Sequence, residues 1–190
     1  MAPRGRSSEA LAELKRAEEL DPLSLAINTT HGYLLYLARD NDAAVAQLHK
    51  TLEIDANFAV AHMYLGRVYA QKKMFAPAIE EFQKADHLSR GEPYYRAWLA
   101  YGYAISGKAV EARKVLKELK KLPKDSYVPS YDVAAICMGL GERDEAIKWL
   151  QRAFEDHAPY FSAINIDPIF DSLHSDLRFQ DLVRRIGLPL

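Results

Sequence analysis

Six histidines stand at positions 31, 49, 62, 87, 157 and 174, and a single cysteine at Cys137. Imidazole and thiolate are the side chains that ligate transition metals and serve as bases or nucleophiles, but both tasks need partners at set spacings. No two of these residues lie two to five positions apart, which is the spacing of paired ligands on one turn or helix, so no metal ion is expected. His31 and His62 read as packing residues, and Cys137 as a small buried thiol rather than a nucleophile. The adjacent carboxylates Glu80 and Glu81 are expected on a solvated helix face. No glycine-rich phosphate loop and no nucleophile elbow occurs, so neither a cofactor nor enzymatic activity is expected.

Charge and composition narrow the partners. Lys and Arg total 25 against 26 Asp and Glu, a net charge of −1, which supplies no field to gather nucleic acid or an anionic membrane surface. A hydrophobic content of 49% is ample for a core and argues against disorder. No apolar run approaches the roughly 18 residues of a membrane span, and MAPRGRSS leads into a charged helical pattern rather than an apolar signal core. A lone cysteine suits a reducing compartment, and the cytoplasm is the expected location.

The elements that would position any site are set by a repeat. Ala10, Ala44, Ala78, Ala112 and Ala146 are separated by 34 residues each. Four positions later stand Leu14, Leu48, Phe82, Leu116 and Leu150, and seven later Ala17, Thr51, Ala85, Leu119 and Ala153, all on one helical face. Upstream, Gly32, Gly66, Ala100 and Ala134 keep the same register, small enough to let two helix axes approach closely. The stretch 59–92 divides near Met74-Phe75 into two amphipathic helices. Such a hairpin cannot bury both apolar faces alone and needs copies of itself on either side.

The period predicts a leader over 1–8, a lone second helix over 9–24, complete helix pairs over 25–58, 59–92, 93–126 and 127–160, and a connection with a capping helix over 161–190. The lone second helix is read as the remnant of a repeat whose first half lies in a longer protein, or as a face covered by another chain through Leu11 and Leu14. Pro77, Pro93 and Pro129 fall in predicted first turns, where a missing amide hydrogen costs little. In the tail, Asp167-Pro168-Ile169-Phe170-Asp171 reads as a short turn-rich connection. Ser175 reads as the cap of a last helix whose apolar stripe is Phe179, Leu182, Val183 and Ile186.

A 34-residue helix–turn–helix unit carrying Leu65-Gly66, Tyr69, Ala78, Phe82 and Ala85 resembles the tetratricopeptide repeat, and the match covers residues 10 to about 156. The resemblance implies an all-α, right-handed superhelical α-solenoid, and a concave wall built from the first helix of each pair. At the wall positions of the family stand Tyr33, Tyr36, Met63, Arg67 and Gln71 in the first half of the chain. Tyr94, Tyr101, Tyr131 and Met138 follow in the second. A wall rich in tyrosine and poor in charge implies binding of a protein partner's peptide or helix, with no nucleic acid and no membrane. Arg67, its lone cation, is able to orient one carboxylate or to rest on a neighbouring tyrosine; the two-carboxylate clamp of the chaperone-binding subtype is not matched.

Two further expectations complete the reading. The tail DPIFDSLHSDLRFQDLVRRIGL resembles the segment that closes repeat arrays on bacterial regulatory and signalling proteins, implying an accessory module; the alternative role is structural, self-association or docking through the uncapped first helix. The basic strip Arg113-Lys114, Lys117, Lys120, Lys121 and Lys124, broken by Glu111 and Glu118, reads either as a solvated face or as a patch for an acidic partner.

Overall fold

The computed structural model describes residues 4–122, 130–158 and 161–188, with side chains from residue 9 onward. All regular elements among them are helices, and they form two compact units, residues 1–89 and 90–190. Pro129 and Lys124 lie outside the described residues.

The first unit contains α1 (Arg4–Leu20), α2 (Leu25–Leu37), α3 (Asn41–Ile54), α4 (Ala59–Gln71) and α5 (Phe75–Leu88). Helix α1 starts at Arg4, several residues before the expected start at Glu9. Each helix packs on the next along α1 to α5, and α2 also meets α4 directly. The alanine register explains the closeness: Ala44, Leu48, Ala78, Phe82 and Ala85 have no exposed surface. A β-carbon added at Gly32 would stand 2.7 Å from Leu48 Cγ, and one added at Gly66 would stand 2.7 Å from the Phe82 ring. The glycines therefore seat the second helix of each pair against the first.

The second unit contains α6 (Pro93–Ile105), α7 (Ala109–Leu119), α8 (Ser130–Gly139), α9 (Arg143–Glu155) and α10 (Leu177–Arg185). Here α6 packs on α7 and α8, and α8 packs on α9. Pro93 occupies the first turn of α6. The stretch read as a short turn-rich connection forms a 3-10 helix, Pro168–Leu173, whose Pro168, Phe170 and Leu173 are buried and which packs on α8. Its cap is Asp167, whose carboxylate accepts the Ile169 amide. Helix α10 then closes over α9 with Phe179, Leu182 and Val183 buried. Its N-cap is Asp176 rather than Ser175, because the Asp176 carboxylate accepts both the Arg178 amide and the Arg178 guanidinium. Arg178 also reaches Asp144 at the start of α9 at 2.7 Å, tying the two helix beginnings together.

One turn recurs in the same register inside four helix pairs. Arg39, Lys73, Gly107 and Gly141, spaced by 34, all adopt the left-handed backbone conformation, with φ of 68°, 58°, 83° and 75°. At each, the following amide returns to a carbonyl five residues back: Asp40 to Leu35, Met74 to Tyr69, Lys108 to Tyr103 and Glu142 to Cys137, at 2.9–3.0 Å. This is the Schellman closure that satisfies the last carbonyls of a helix and reverses the chain. Glycine meets its backbone demand at two of the four copies, and a long cationic side chain accepts the strain at the other two.

Candidate functional site

In the first unit the wall positions come together as one cluster of rings around a guanidinium. Tyr33 of α2 stacks on Tyr64 of α4 with centroids 4.7 Å apart, and on Tyr36 at 6.3 Å. The Arg67 guanidinium lies 4.9 Å from the centroid of Tyr36, 5.4 Å from Tyr33 and 5.5 Å from Tyr64. Helical spacing accounts for this: Tyr33 and Tyr36, and Tyr64 and Arg67, are each three apart on helices that pack side by side. Tyr64 belongs to the cluster although the repeat register alone does not place it on the wall. Its position three before Arg67 was the available signal.

The cluster is deep. Tyr33 is 8% exposed, Arg67 4% and Tyr36 1%, while Met63 has no exposed surface and serves the interior. Gln71, one turn beyond Arg67, is half-buried. Cation–π contact in a desolvated setting contributes about 1–2 kcal/mol per good pair, so the guanidinium and rings hold one another in place.

The second unit carries the remaining wall residues. Tyr94 is half-buried and meets Tyr95 edge-on at 5.1 Å, and Tyr101 meets the buried Trp98 edge-on at 5.7 Å. Met138 is half-buried. Tyr131 is buried: its hydroxyl donates to the carboxylate of Asp167, and its ring meets Phe170 at 5.3 Å. Tyr131 thus anchors the Pro168–Leu173 segment to α8.

Two ionic clusters, one buried and one half-buried, lie in the first unit and include positions read as packing or solvated. His62 places Nδ1 2.5 Å from the Glu81 carboxylate and Nε2 3.0 Å from the carbonyl of Ala56. Both partners are acceptors, so the imidazolium form, with a proton on each ring nitrogen, is the form these contacts favour. Glu81 is therefore buried and paired, not on a solvated face, and Lys84 meets its other oxygen at 2.7 Å. Burial disfavours both charges, but the hydrogen bonds outweigh it, raising the His62 pKa and lowering that of Glu81. At the other cluster Glu18 of α1 accepts from Lys50, from His31 at 2.9 Å and from Gln47 at 3.2 Å. Burial works against its charge, yet these donors hold its carboxyl at about 2. His31 thus connects α1 to α2 by a hydrogen bond. Leu11 and Leu14 of α1 are half-buried.

Cys137 is buried in the second unit, where desolvation and then the Glu142 charge push its thiol up to about 11. A thiol held protonated is a poor nucleophile. Among the described residues no three His, Cys, Asp or Glu side chains gather closely enough to hold a metal ion, and no helix is long and apolar enough to cross a membrane.

No family model matches the chain. A segment of 85 residues, 45% of the chain, is 29% identical to human Tetratricopeptide repeat protein 13; the match spans 10% of that protein's length. The crystal structure of MamA superposes with a TM-score of 0.54 at 21% identity, covering 81% of this chain and 90% of MamA. That of YrrB, described as a TPR protein with an unusual peptide-binding site, superposes at 0.52 with 18% identity, covering 90% and 89%. The 34-residue register, its helix pairs and these likenesses agree. The chain shares the helix-pair fold of these structures. Its repeats supply helix pairs whose first members, α2 and α4 in one unit and α6 and α8 in the other, contact each other directly.

Proposed function

We propose that this chain is a tetratricopeptide-repeat protein and a non-catalytic module that holds a peptide or helix of a partner protein along its first-helix walls, as part of a bacterial regulatory protein. The observation that carries the reading is the Arg67 guanidinium fixed among Tyr33, Tyr36 and Tyr64. Rings and cation held rigid before a ligand arrives lose little entropy on binding, which favours recognition by a preformed surface. In the first unit the floor is Tyr33 and Arg67, with Gln71 at its rim. In the second, Tyr94, Tyr101 and Met138 supply the contact area. The peptide-binding site named for YrrB, which shares the fold, supports the same use of the scaffold. A cytoplasmic setting accords with the reduced, buried Cys137.

The test is a display library of random peptides selected against the full chain, followed by NMR mapping of a selected peptide. Shifts centred on Arg67 and Gln71, or on Tyr94 and Met138, are expected, and Gln71→Arg or Tyr94→Arg should weaken that peptide at least tenfold. Selected peptides that shift neither wall, or selections that enrich none, overturn the reading. Tyr33→Ala and Tyr101→Ala are poor probes, because truncating rings that are 8% and 9% exposed opens cavities in the core.

A further inference from the structure

The basic strip on α7 is not electrically uniform. On one edge Lys114 stands three after Glu111 and four before Glu118, and Lys121 three after Glu118, so those charges alternate at helical spacing. On the other edge Arg113, Lys117 and Lys120 follow one another at four and three residues with no acidic residue between them on that face. Like charges at this spacing destabilise a helix by about 0.2–0.5 kcal/mol per pair.

This second edge meets α9 at Trp149. The half-buried indole has Lys120 Nζ 5.2 Å from its ring centroid and the Arg152 guanidinium carbon also 5.2 Å away. Two cations are thus gathered on one aromatic side chain at the junction of two helices. The carboxylates at the edge include Glu142, 2.7 Å from Arg113, Asp156, 3.5 Å from Arg152, and Glu145, one turn before Trp149 on α9 and 2.6 Å from Lys148. None of the ion pairs formed among the described residues involves Lys117 or Lys120. The result is a surface with surplus positive charge on both sides of a partly exposed apolar ring.

We propose that the edge formed by Lys117, Lys120, Trp149 and Arg152 docks an acidic segment of a partner protein, with its carboxylates on the cations and one apolar side chain against the indole. A protein segment suits it better than nucleic acid. The surplus cations span little more than one helix turn and are flanked by Glu111, Glu118, Glu142 and Asp156, which would repel a continuous phosphate backbone. Discrete carboxylates can be placed between those charges. An anion also relieves the repulsion stored between Lys117, Lys120 and Arg152, an advantage that a neutral ligand lacks.

The experiment uses the full chain and a labelled synthetic peptide of alternating Asp and Glu with one central Phe, followed by anisotropy at about 50 and about 300 mM salt. Expected are binding at low salt, at least a tenfold loss at high salt, and at least a tenfold loss on combining Lys117→Glu with Lys120→Glu. A control pair in the other unit, Lys15→Glu with Lys73→Glu, changes the net charge equally and should retain affinity. Thermal melts confirm that the variants fold, and the milder Lys117→Ser serves if they do not. Failure of the acidic peptide to bind, equal binding of a Ser/Gly peptide with the same Phe, or equal loss in the control pair overturns the proposal. Tighter binding of a single-stranded oligonucleotide than of the peptide also overturns it and assigns the edge to nucleic acid.

Discussion

His62 and Glu81 face each other across 2.5 Å between α4 and α5, with the second ring nitrogen of His62 closed by the Ala56 carbonyl. The pair therefore fastens the two helices of one repeat to the turn that precedes them. Its folded-state pKa values give the sign of the pH response. His62 is raised above 6.5, so its contribution is complete below that value and is lost as pH rises through the folded pKa. Glu81 is lowered from 4.5, so its contribution is complete above that value and is lost as pH falls through the folded pKa. His62→Gln should cost about 2 kcal/mol near pH 5.5, the scale of a charge-assisted hydrogen bond. The gap to the parent should narrow steadily towards pH 9. Melting curves of both proteins across that range check it, and a gap that stays constant would show that the imidazolium charge contributes nothing.

The contact between Gly66 and Phe82 yields a second expectation. Gly66→Ala gains about 1 kcal/mol of helix propensity, but its β-carbon would stand 2.7 Å from two ring carbons of a residue with no exposed surface. Overpacking of this kind costs about 1–3 kcal/mol, so a net loss of about 1 kcal/mol is expected in urea unfolding. Phe82→Leu in the Gly66→Ala background should recover part of it. Gly32→Ala should cost less, since Leu48 can shift by a rotamer where a ring cannot.

The four left-handed turn residues separate backbone strain from packing. Nothing lies within 4 Å of a β-carbon built at Gly107 or Gly141, so Gly→Ala at either position tests conformation alone. Each should cost about 1 kcal/mol. Lys73→Gly works in the opposite sense: it removes the strain of a φ of 58° and should stabilise by about 0.5 kcal/mol after the entropy gained by the unfolded chain is deducted. Shifts in denaturant midpoint of opposite sign, about twice as large at the glycines as at Lys73, are the expected pattern at copies of one turn. A loss at Lys73→Gly would mean that its side chain, not its backbone, matters there.

Much of the architecture was legible because a 34-residue period constrains side-chain size at every copy: Ala78 and Phe82 cannot vary without moving a helix. Burial depth was less legible. The period says which face of α2 carries Tyr33 and Tyr36, but not that Tyr64 and Arg67 from the neighbouring helix cover them. Charged pairs such as His62 with Glu81 join positions 19 apart and lie outside any helical spacing, so each residue alone reads as packing or as surface. The cap at Asp176 competed with Ser175 next to it, and side-chain chemistry does not choose between two neighbours that both accept. The 3-10 helix over Pro168–Leu173 was hidden for a related reason: proline and aspartate signal a turn, and only tertiary contact with α8 turns that turn into part of the core.

Tyr131 and Asp167 test that last contact. Asp167 has no exposed surface, and its carboxylate accepts the Tyr131 hydroxyl at one oxygen and the Ile169 amide at the other. Tyr131→Phe keeps the ring against Phe170 and removes only the hydroxyl donor, at a cost of about 1–3 kcal/mol for a buried charged acceptor deprived of one partner. Asp167→Asn should cost less in the Tyr131→Phe background than in the parent, because a neutral amide needs the hydroxyl less than a carboxylate does. The double-mutant cycle therefore carries a coupling energy, expected at about 1 kcal/mol. Hydrogen exchange gives the location: amides of the Pro168–Leu173 segment and of α10 should open earlier in Tyr131→Phe, while those of α6 and α7 keep their protection. Loss spread evenly over the second unit would instead make Tyr131 a general core residue, with no special tie to the C-terminal closure.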